Sequence, residues 1–360
     1  MNGVIIVDKP AGWTSHDVVN RMRRILGQRS VGHLGTLDPL ATGVLPLVTG
    51  SLTRLAQFYT TSEKTYEGVI RFGFATNTYD ADGDPVGEHA AIAAPGCPAP
   101  ALTLNLDTLQ KLATRFQGLI EQVPPPFSAK KIHGVPAYKL ARKQQEVILK
   151  PVQVEIKEFA ILAVDNDRAT FRARVASGTY MRSVAHDLGQ QLGPGAYLES
   201  LRRTSVAEFD IAHAHTLEEI ESQIKGQVKG CHYEQGRQPD PAKSCHSEPG
   251  VKPGEEPAVP VWGGRPRPPF SPEKLSSSAP ELSPVLESLF IHPRQLLPQF
   301  PSVTADEPTA ARIRNGRPIN LPELSRARQV KVFYGQRDLI AIATRVAGTL
   351  FHPKIVFPES

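Results

Sequence analysis

The chain has 360 residues, 40% hydrophobic and 21% charged, which is enough for a full core and two domains of ordinary size. Its 41 Lys+Arg against 36 Asp+Glu give a net charge of +5, which permits a polyanionic partner without demanding one. Three cysteines are too few for a disulfide framework, no apolar run approaches the ~20 residues that span a bilayer, and MNGVIIVDKP lacks the parts of a signal peptide; the expectation is a soluble protein of the reducing cytoplasm.

In chain order, GVIIVDKP predicts a short buried strand stopped by Pro10, which cannot donate to a ladder. TSHDVVNRMRRILG predicts a helix: Thr14 or Ser15 caps it, Asp17 suits its first turn, and Gly27 suits the left-handed position after its end. Thr65–Thr76 reads as a strand from its β-branched and aromatic residues, followed by the turn-rich YDADGDPVG. Leu109, Leu112, Ala113 and Phe116 mark a second helix. VQVEIKEFAIL and ATFRARVASGTY are strands, and Ser183–Leu192 is a helix. The elements mix without a βαβ rhythm, so an α+β fold with a mixed, largely antiparallel sheet and flanking helices is expected.

Composition shifts near Gln227. Residues 227–284 are Pro, Gly, Ser and charge with few apolar residues, the pattern of a disordered insertion between a domain at 1–226 and one at 285–360. The insertion holds Cys231-His232 and Cys245-His246, but adjacent Cys-His pairs lack zinc-ligand spacing, and chance composition is the better account. Beyond it come a short helix at Ala310–Arg314 and three strand-like runs, QVKVFY, DLIAIATRV and KIVF, a small β-rich domain.

Basic residues cluster at Arg21–Arg29, Lys130–Lys143, Arg202-Arg203 and Arg312–Lys331, with Phe127, Ser128, Tyr138 and Tyr180 among them. An RNA-tracking surface has this composition, and so does a solvated helix face. Asp38, in GHLGTLDPLATGVLP, lies between Leu37 and Pro39, which deny it a clear helix N-cap. It is a turn-former or a reagent. As a reagent in a dry site it needs a cation, and Arg182 in SGTYMR is the best placed.

GTLDPLATGVLP with Asp38, EKTYEG with Tyr66, QVPPPFSAKKIHG with Lys130, and SGTYMRSVAHDLG followed by LRRT occur in this order, and together they resemble the TruB-type tRNA pseudouridine synthases. The resemblance spans the first two-thirds of the chain and resumes more weakly in the C-terminal region. It implies the pseudouridine synthase fold plus a PUA-like RNA-binding domain, and isomerisation of the T-loop uridine 55 of tRNA without metal or cofactor. Asp38 matches the catalytic aspartate, which attacks ribose C1′ or removes a C2′ proton. Arg182 matches its partner, Tyr66 the tyrosine that stacks on uracil, Tyr180 and Leu201 the pocket walls, and His33 the residue that enters the RNA stack once the base has flipped. Asp80 and Lys130 fall in stretches that line the RNA cleft. Arg202 and Arg203 suit phosphate or an acid of the protein itself.

The implied partner is the T-arm of tRNA, with the protein a monomer, no obligate protein partner and no membrane. Leu34 departs from the small or polar residue usual at its position, and the 227–284 insertion has no counterpart. A glycoside hydrolase would require a second carboxylate across the bond, and none is placed with Asp38. A tRNA-binding chaperone without catalysis is the alternative, and intact Asp38, Tyr66 and Arg182 argue against it.

Overall fold

The computed structural model describes residues 1–87, 104–128, 130–132, 134–141, 143, 149–230, 284–324 and 326–358. Strand β1 (Gly3–Lys9) owes its unbroken apolar run to being covered on both faces: Ile5 and Val7 enter one core cluster, Val4 and Ile6 another. Helix α1 (Ser15–Ile25) starts at a reciprocal capping box, in which the Thr14 hydroxyl accepts from the Asp17 N–H and the Asp17 carboxylate from the Thr14 N–H. It ends before Gly27, at φ +60°. Next come β2 (Val31–His33), β3 (Thr42–Thr49), the short α2 (Ala56–Tyr59) and β4 (Lys64–Phe72). The expected strand through Thr76 breaks at Gly73, φ +118°, and β5 (Ala75–Thr76) pairs instead with β6 (Pro85–Val86).

Helix α3 (Leu106–Thr114) and β7 (Gly118–Gln122) precede a small hairpin of β8 (Lys131–Ile132) and β9 (Val135–Pro136), then α4 (Ala137–Ala141). The long β10 (Val152–Asp165), β11 (Arg168–Val175), α5 (Met181–Leu192), β12 (Ala196–Val206) and β13 (Phe209–Asp210) follow. The main sheet has nine strands in the order β1-β3-β12-β4-β11-β10-β7, with β2 added to β3 and β13 to β12. Among the described strands of this sheet only β12 and β3 pair in parallel, through Arg202↔Thr42 and Arg203↔Gly43. This is the mixed, mainly antiparallel sheet expected from the sequence, with α1, α3 and α5 on one face.

Strands β3, β7 and β12 lie beyond what local pattern predicts. Pro46 interrupts the β3 pattern, yet its carbonyl accepts from Leu34 N–H, so its missing donor also faces that side, outside the β1 ladder. Helix α6 (Leu217–Gly230) runs past residue 226, the expected domain edge. Most of the expected insertion, including both Cys-His pairs, lies outside the described residues. The chain re-enters at α7 (Pro284–Leu289), and Ile291 then bonds Val4, covering the edge of β1.

The C-terminal region comprises β14 (Ser302–Ala305), α8 (Glu307–Arg314), β15 (Ile319–Asn320), β16 (Gln329–Tyr334), β17 (Asp338–Ala347) and β18 (Leu350–Val356). Its sheet, ordered β14-β16-β17-β18-β15, has a core of its own on one face, where Ile313, Val330, Val332 and Phe351 pack. From the other face Phe333, Leu339, Ile342 and Ile355 join Val4, Ile6, Val44 and Val48 of the main sheet in one cluster. Among the described residues no helix is long and apolar enough to cross a membrane.

Gly43 tests the β3–β12 junction. It sits at φ +100°, and a Cβ there would lie 2.2 Å from the Arg203 carbonyl oxygen. Left-handed strain and a displaced strand act together, so Gly43→Ala is expected to lower stability by about 2 kcal/mol or more in urea unfolding.

Candidate active site

The loop from β2 to β3 carries Asp38, and it is pinned on both sides of that residue. The Ser15 hydroxyl, at the start of α1, accepts from the Leu37 N–H (2.8 Å) and donates to the Leu37 carbonyl (3.0 Å). The Pro39 carbonyl accepts from the Gly12 N–H (2.9 Å) and from the Lys9 ammonium (3.1 Å). Leu37 is buried in the core. The backbone at Asp38 is therefore fixed while its side chain, 36% exposed, reaches the surface of the cleft.

Arg182, in the first turn of α5, meets that carboxylate in a two-point contact, Nε to Oδ2 at 2.9 Å and Nη2 to Oδ1 at 3.1 Å. Paired planar groups in this fork geometry fix orientation as well as charge. The guanidinium is the buried member, 6% exposed, and its Nη1 is satisfied by the carbonyls of Phe127 (3.2 Å) and Thr78 (3.4 Å). Asp80 also faces it, Oδ2 to Nη1 at 3.4 Å, with a side chain only 8% exposed. The cleft therefore inverts the expectation of a dry aspartate: Arg182 and Asp80 are enclosed and Asp38 is accessible. Asp80, expected to line the RNA cleft, lies behind the arginine instead, because burying a guanidinium demands a second negative partner.

Burial pushes the Asp80 carboxyl above the usual carboxylate range, opposed by its hydrogen bond from Thr78 and by Arg182. Between Thr78 and Asp80, Tyr79 takes a left-handed φ of +65° and stacks on His186 at 3.8 Å between ring centroids. Thr78 and Asp80, the two neighbours of this turn, both face the arginine.

Tyr180, the residue before α5, is held by the Gln122 side-chain amide, which accepts from its N–H (2.8 Å) and donates to its carbonyl (3.1 Å). Burial raises the pKa of the Tyr180 hydroxyl, and Asp38 lies close enough to raise it further. Tyr66 on β4 is buried, its hydroxyl raised by burial and in contact with Arg203, with Asp38 close enough to raise it further. Leu201 on β12 lies opposite Gly68 of β4, two positions from the Arg203↔Tyr66 pair. His33 ends β2; its Nδ1 accepts from the Gly35 N–H at 3.3 Å, and burial lowers its affinity for a proton. Lys130 is exposed, and its carbonyl accepts from Ala137; among the described residues no hydrogen bond or ion pair joins its side chain to this group.

Residues 23–181 match the N-terminal domain of the TruB family pseudouridylate synthases, and residues 182–230 match the tRNA pseudouridylate synthase B C-terminal domain. A relative from Solibacter usitatus named tRNA pseudouridine synthase B is 42% identical over 99% of this chain and 100% of its own length. The chain belongs to the TruB family of pseudouridylate synthases. TruB relatives of the same name from Syntrophotalea carbinolica and Aquifex aeolicus are 44% and 42% identical, each over 61% of this chain and over 69% and 74% of their own. The crystal structure of a Cbf5–Nop10–Gar1 complex shares the fold, with a TM-score of 0.61 and 20% identity over 99% of this chain and 85% of that one.

Two buried cations hold the Asp38 loop through backbone carbonyls, a role that the sequence did not disclose for either. Arg203 is fully buried, and its guanidinium donates to the carbonyls of Val44 (2.8 Å), Thr36 (3.0 Å) and Gly35 (3.1 Å), bracing the Asp38 loop from beneath. Its neighbour Arg202 forks onto Asp8 at 3.1 and 2.7 Å, so the choice between phosphate and an internal acid falls to the acid for Arg202. Lys9, also fully buried, donates to the carbonyls of Pro10, Trp13 and Pro39. A lysine closing a strand in DKP gives no outward sign of this; three carbonyls converging on it are visible only in three dimensions. Among the described residues no three His, Cys, Asp or Glu side chains converge as metal ligands would.

Burial lowers Lys9 from 10.5 to about 8, against the pull of Asp38. The folded state thus disfavours its charged form; the cost applies in full below pH 8 and is relieved as pH rises from about 8 towards 10.5. The stability of wild type relative to Lys9→Met is therefore expected to rise across that window in urea titrations. A difference that stays flat would mean that Lys9 keeps its ordinary proton affinity.

Proposed function

We propose that this enzyme converts uridine 55 in the T loop of tRNA to pseudouridine and that Asp38 is the group acting on the ribose. The observation that carries this is the accessible Asp38 carboxylate gripped at both oxygens by the buried Arg182. A carboxylate fixed in this way can bond to C1′ as the N1–C1′ bond breaks, or take the C2′ proton to leave a glycal. In either route uracil departs with the electron pair on N1, turns within the pocket and rejoins through C5, as the carboxylate leaves C1′ in the first route or returns its proton to C2′ in the second. The C5 proton is then lost and N1 regains one, so uridine and product have the same composition.

The target base must leave the loop stack to reach Asp38. In this reading Tyr66 and Leu201, both buried, supply apolar contact for it, and Tyr180 takes part in holding it. His33, on the rim, takes the place left in the stack. Enclosure matters because a uracil that escaped would leave an abasic site. The C-terminal sheet carries exposed Arg312 and Arg317 on and after α8, and these are placed to meet phosphates of the same tRNA.

Asp38→Asn is expected to bind a tRNA transcript with near wild-type affinity and to lower kcat by at least ~10²-fold. Mapping of pseudouridine at position 55 reads the product. Retained turnover would remove Asp38 from the chemistry, and product at another uridine would remove the site assignment. Arg182→Lys keeps the charge but cannot span both Asp38 oxygens, so kcat is expected to fall ~10²–10³-fold with KM for RNA little changed.

A further inference from the structure

Helix α5 carries Arg182 in its first turn and His186 four residues on, so the two side chains leave the same face. The His186 ring lies flat against Tyr79, with 3.8 Å between ring centroids and 13° between planes. Its Nδ1 is buried and has no hydrogen-bond partner among the described residues. The imidazole thus serves there through its flat face.

Tyr79 belongs to the turn that closes on Arg182. The Thr78 carbonyl before it and the Asp80 carboxylate after it both meet the Arg182 Nη1, at 3.4 Å each. They converge because Tyr79 takes the left-handed φ of +65°, a conformation that a tyrosine keeps only when its surroundings impose it. Two neighbours do so. The Tyr79 carbonyl accepts from the Leu198 N–H of β12 (3.0 Å), and the Leu198 carbonyl accepts from Ala81 (3.0 Å), while the Tyr79 ring is held by α5. Helix and turn therefore meet at two points, the guanidinium and the stack. A single contact would let the turn pivot about the arginine; two contacts on one helix face fix its approach.

We propose that Tyr79 and His186 are a positioning pair: their stack locks the turn against α5 and so sets the angle at which Arg182 presents the Asp38 carboxylate to the ribose. Neither ring need touch the RNA. The inference rests on the reading that Asp38 acts on the ribose. A small error in the placement of a reacting group costs rate and leaves the binding surface intact, so the loss falls on kcat.

The test measures kcat and KM for a tRNA transcript, with urea unfolding alongside, in full-length wild type, His186→Ala, His186→Phe, Tyr79→Ala, Tyr79→Gly, Arg182→Lys, Arg182→Lys/Tyr79→Gly and Asp38→Asn. His186→Ala and Tyr79→Gly are expected to lower kcat about tenfold with KM within about twofold of wild type. His186→Phe keeps a flat ring and is expected to restore kcat to within about twofold of wild type. Glycine adopts a left-handed φ without strain, so Tyr79→Gly is expected to unfold at a higher urea concentration than Tyr79→Ala while being as slow. In the Arg182→Lys background, removing the stack is expected to cost less than about twofold more, because the fork through which it acts is already gone. Wild-type kcat in His186→Ala and Tyr79→Gly, beside an inactive Asp38→Asn, would overturn the positioning pair alone. Rates that follow the urea midpoints, or a full tenfold loss persisting in the Arg182→Lys background, would also overturn it. Retained turnover in Asp38→Asn would overturn the reading beneath it and this inference together.

Discussion

A buried guanidinium has to be answered on every side, and in this protein that demand organises the active site. Arg182 draws one carboxylate from the β2–β3 loop, a carboxylate and a carbonyl from the turn after β5, and a carbonyl from the segment after β7. Leaving any of these out would strand charge in a place from which water is excluded, a penalty of several kcal/mol. Segments far apart in sequence are thus obliged to meet at one point. The smaller bonds around them, Ser15 to Leu37, Gln122 to Tyr180 and Ser183 to Val123, hold each segment at that meeting place.

The positive charge near Asp38 divides into two kinds. Lys9 and Arg203 spend their donors on backbone carbonyls and are closed to solvent, so they brace the loop and cannot grip phosphate. Arg202 is tied to Asp8, and Arg168 forks onto Glu199. A tally of lysines and arginines therefore overstates the surface open to RNA. Lys64, lowered to about 8 by burial and by Arg203, lies beside Gly35 and adds to the positive field that the cleft presents.

Much of this was legible in the sequence where one local rule decided the outcome. Thr14, Asp17 and Gly27 bound α1 because capping is a matter of a few adjacent residues. The strands β10 and β11 announced themselves by alternation, since one face of each looks to solvent. Asp38 and Arg182 stood out through motif and neighbourhood, and they prove to touch. Asp80 was noticed, but nothing in YDADGD announces that it turns inward against an arginine. β12 was passed over because LESLRRT reads as polar, and only the carbonyls around Arg203 explain how so charged a strand sits in mid-sheet. Lys9 and Gln122 were invisible for the same reason: their partners lie in other segments.

The double-sided burial of β1 and β3 reaches beyond the active site. Val4, Ile6, Val44 and Val48 are covered by the C-terminal sheet, while Ile5, Val7, Leu45 and Leu47 on the same strands support the helices behind Asp38. Neither half of the molecule can be peeled away without exposing the apolar back of the strand that follows the Asp38 loop. The small C-terminal sheet is thus as much a folding partner as an appendage. Heat or denaturant should meet the two as one cooperative unit, with the Asp38–Arg182 pair surviving only as long as the distant sheet remains docked.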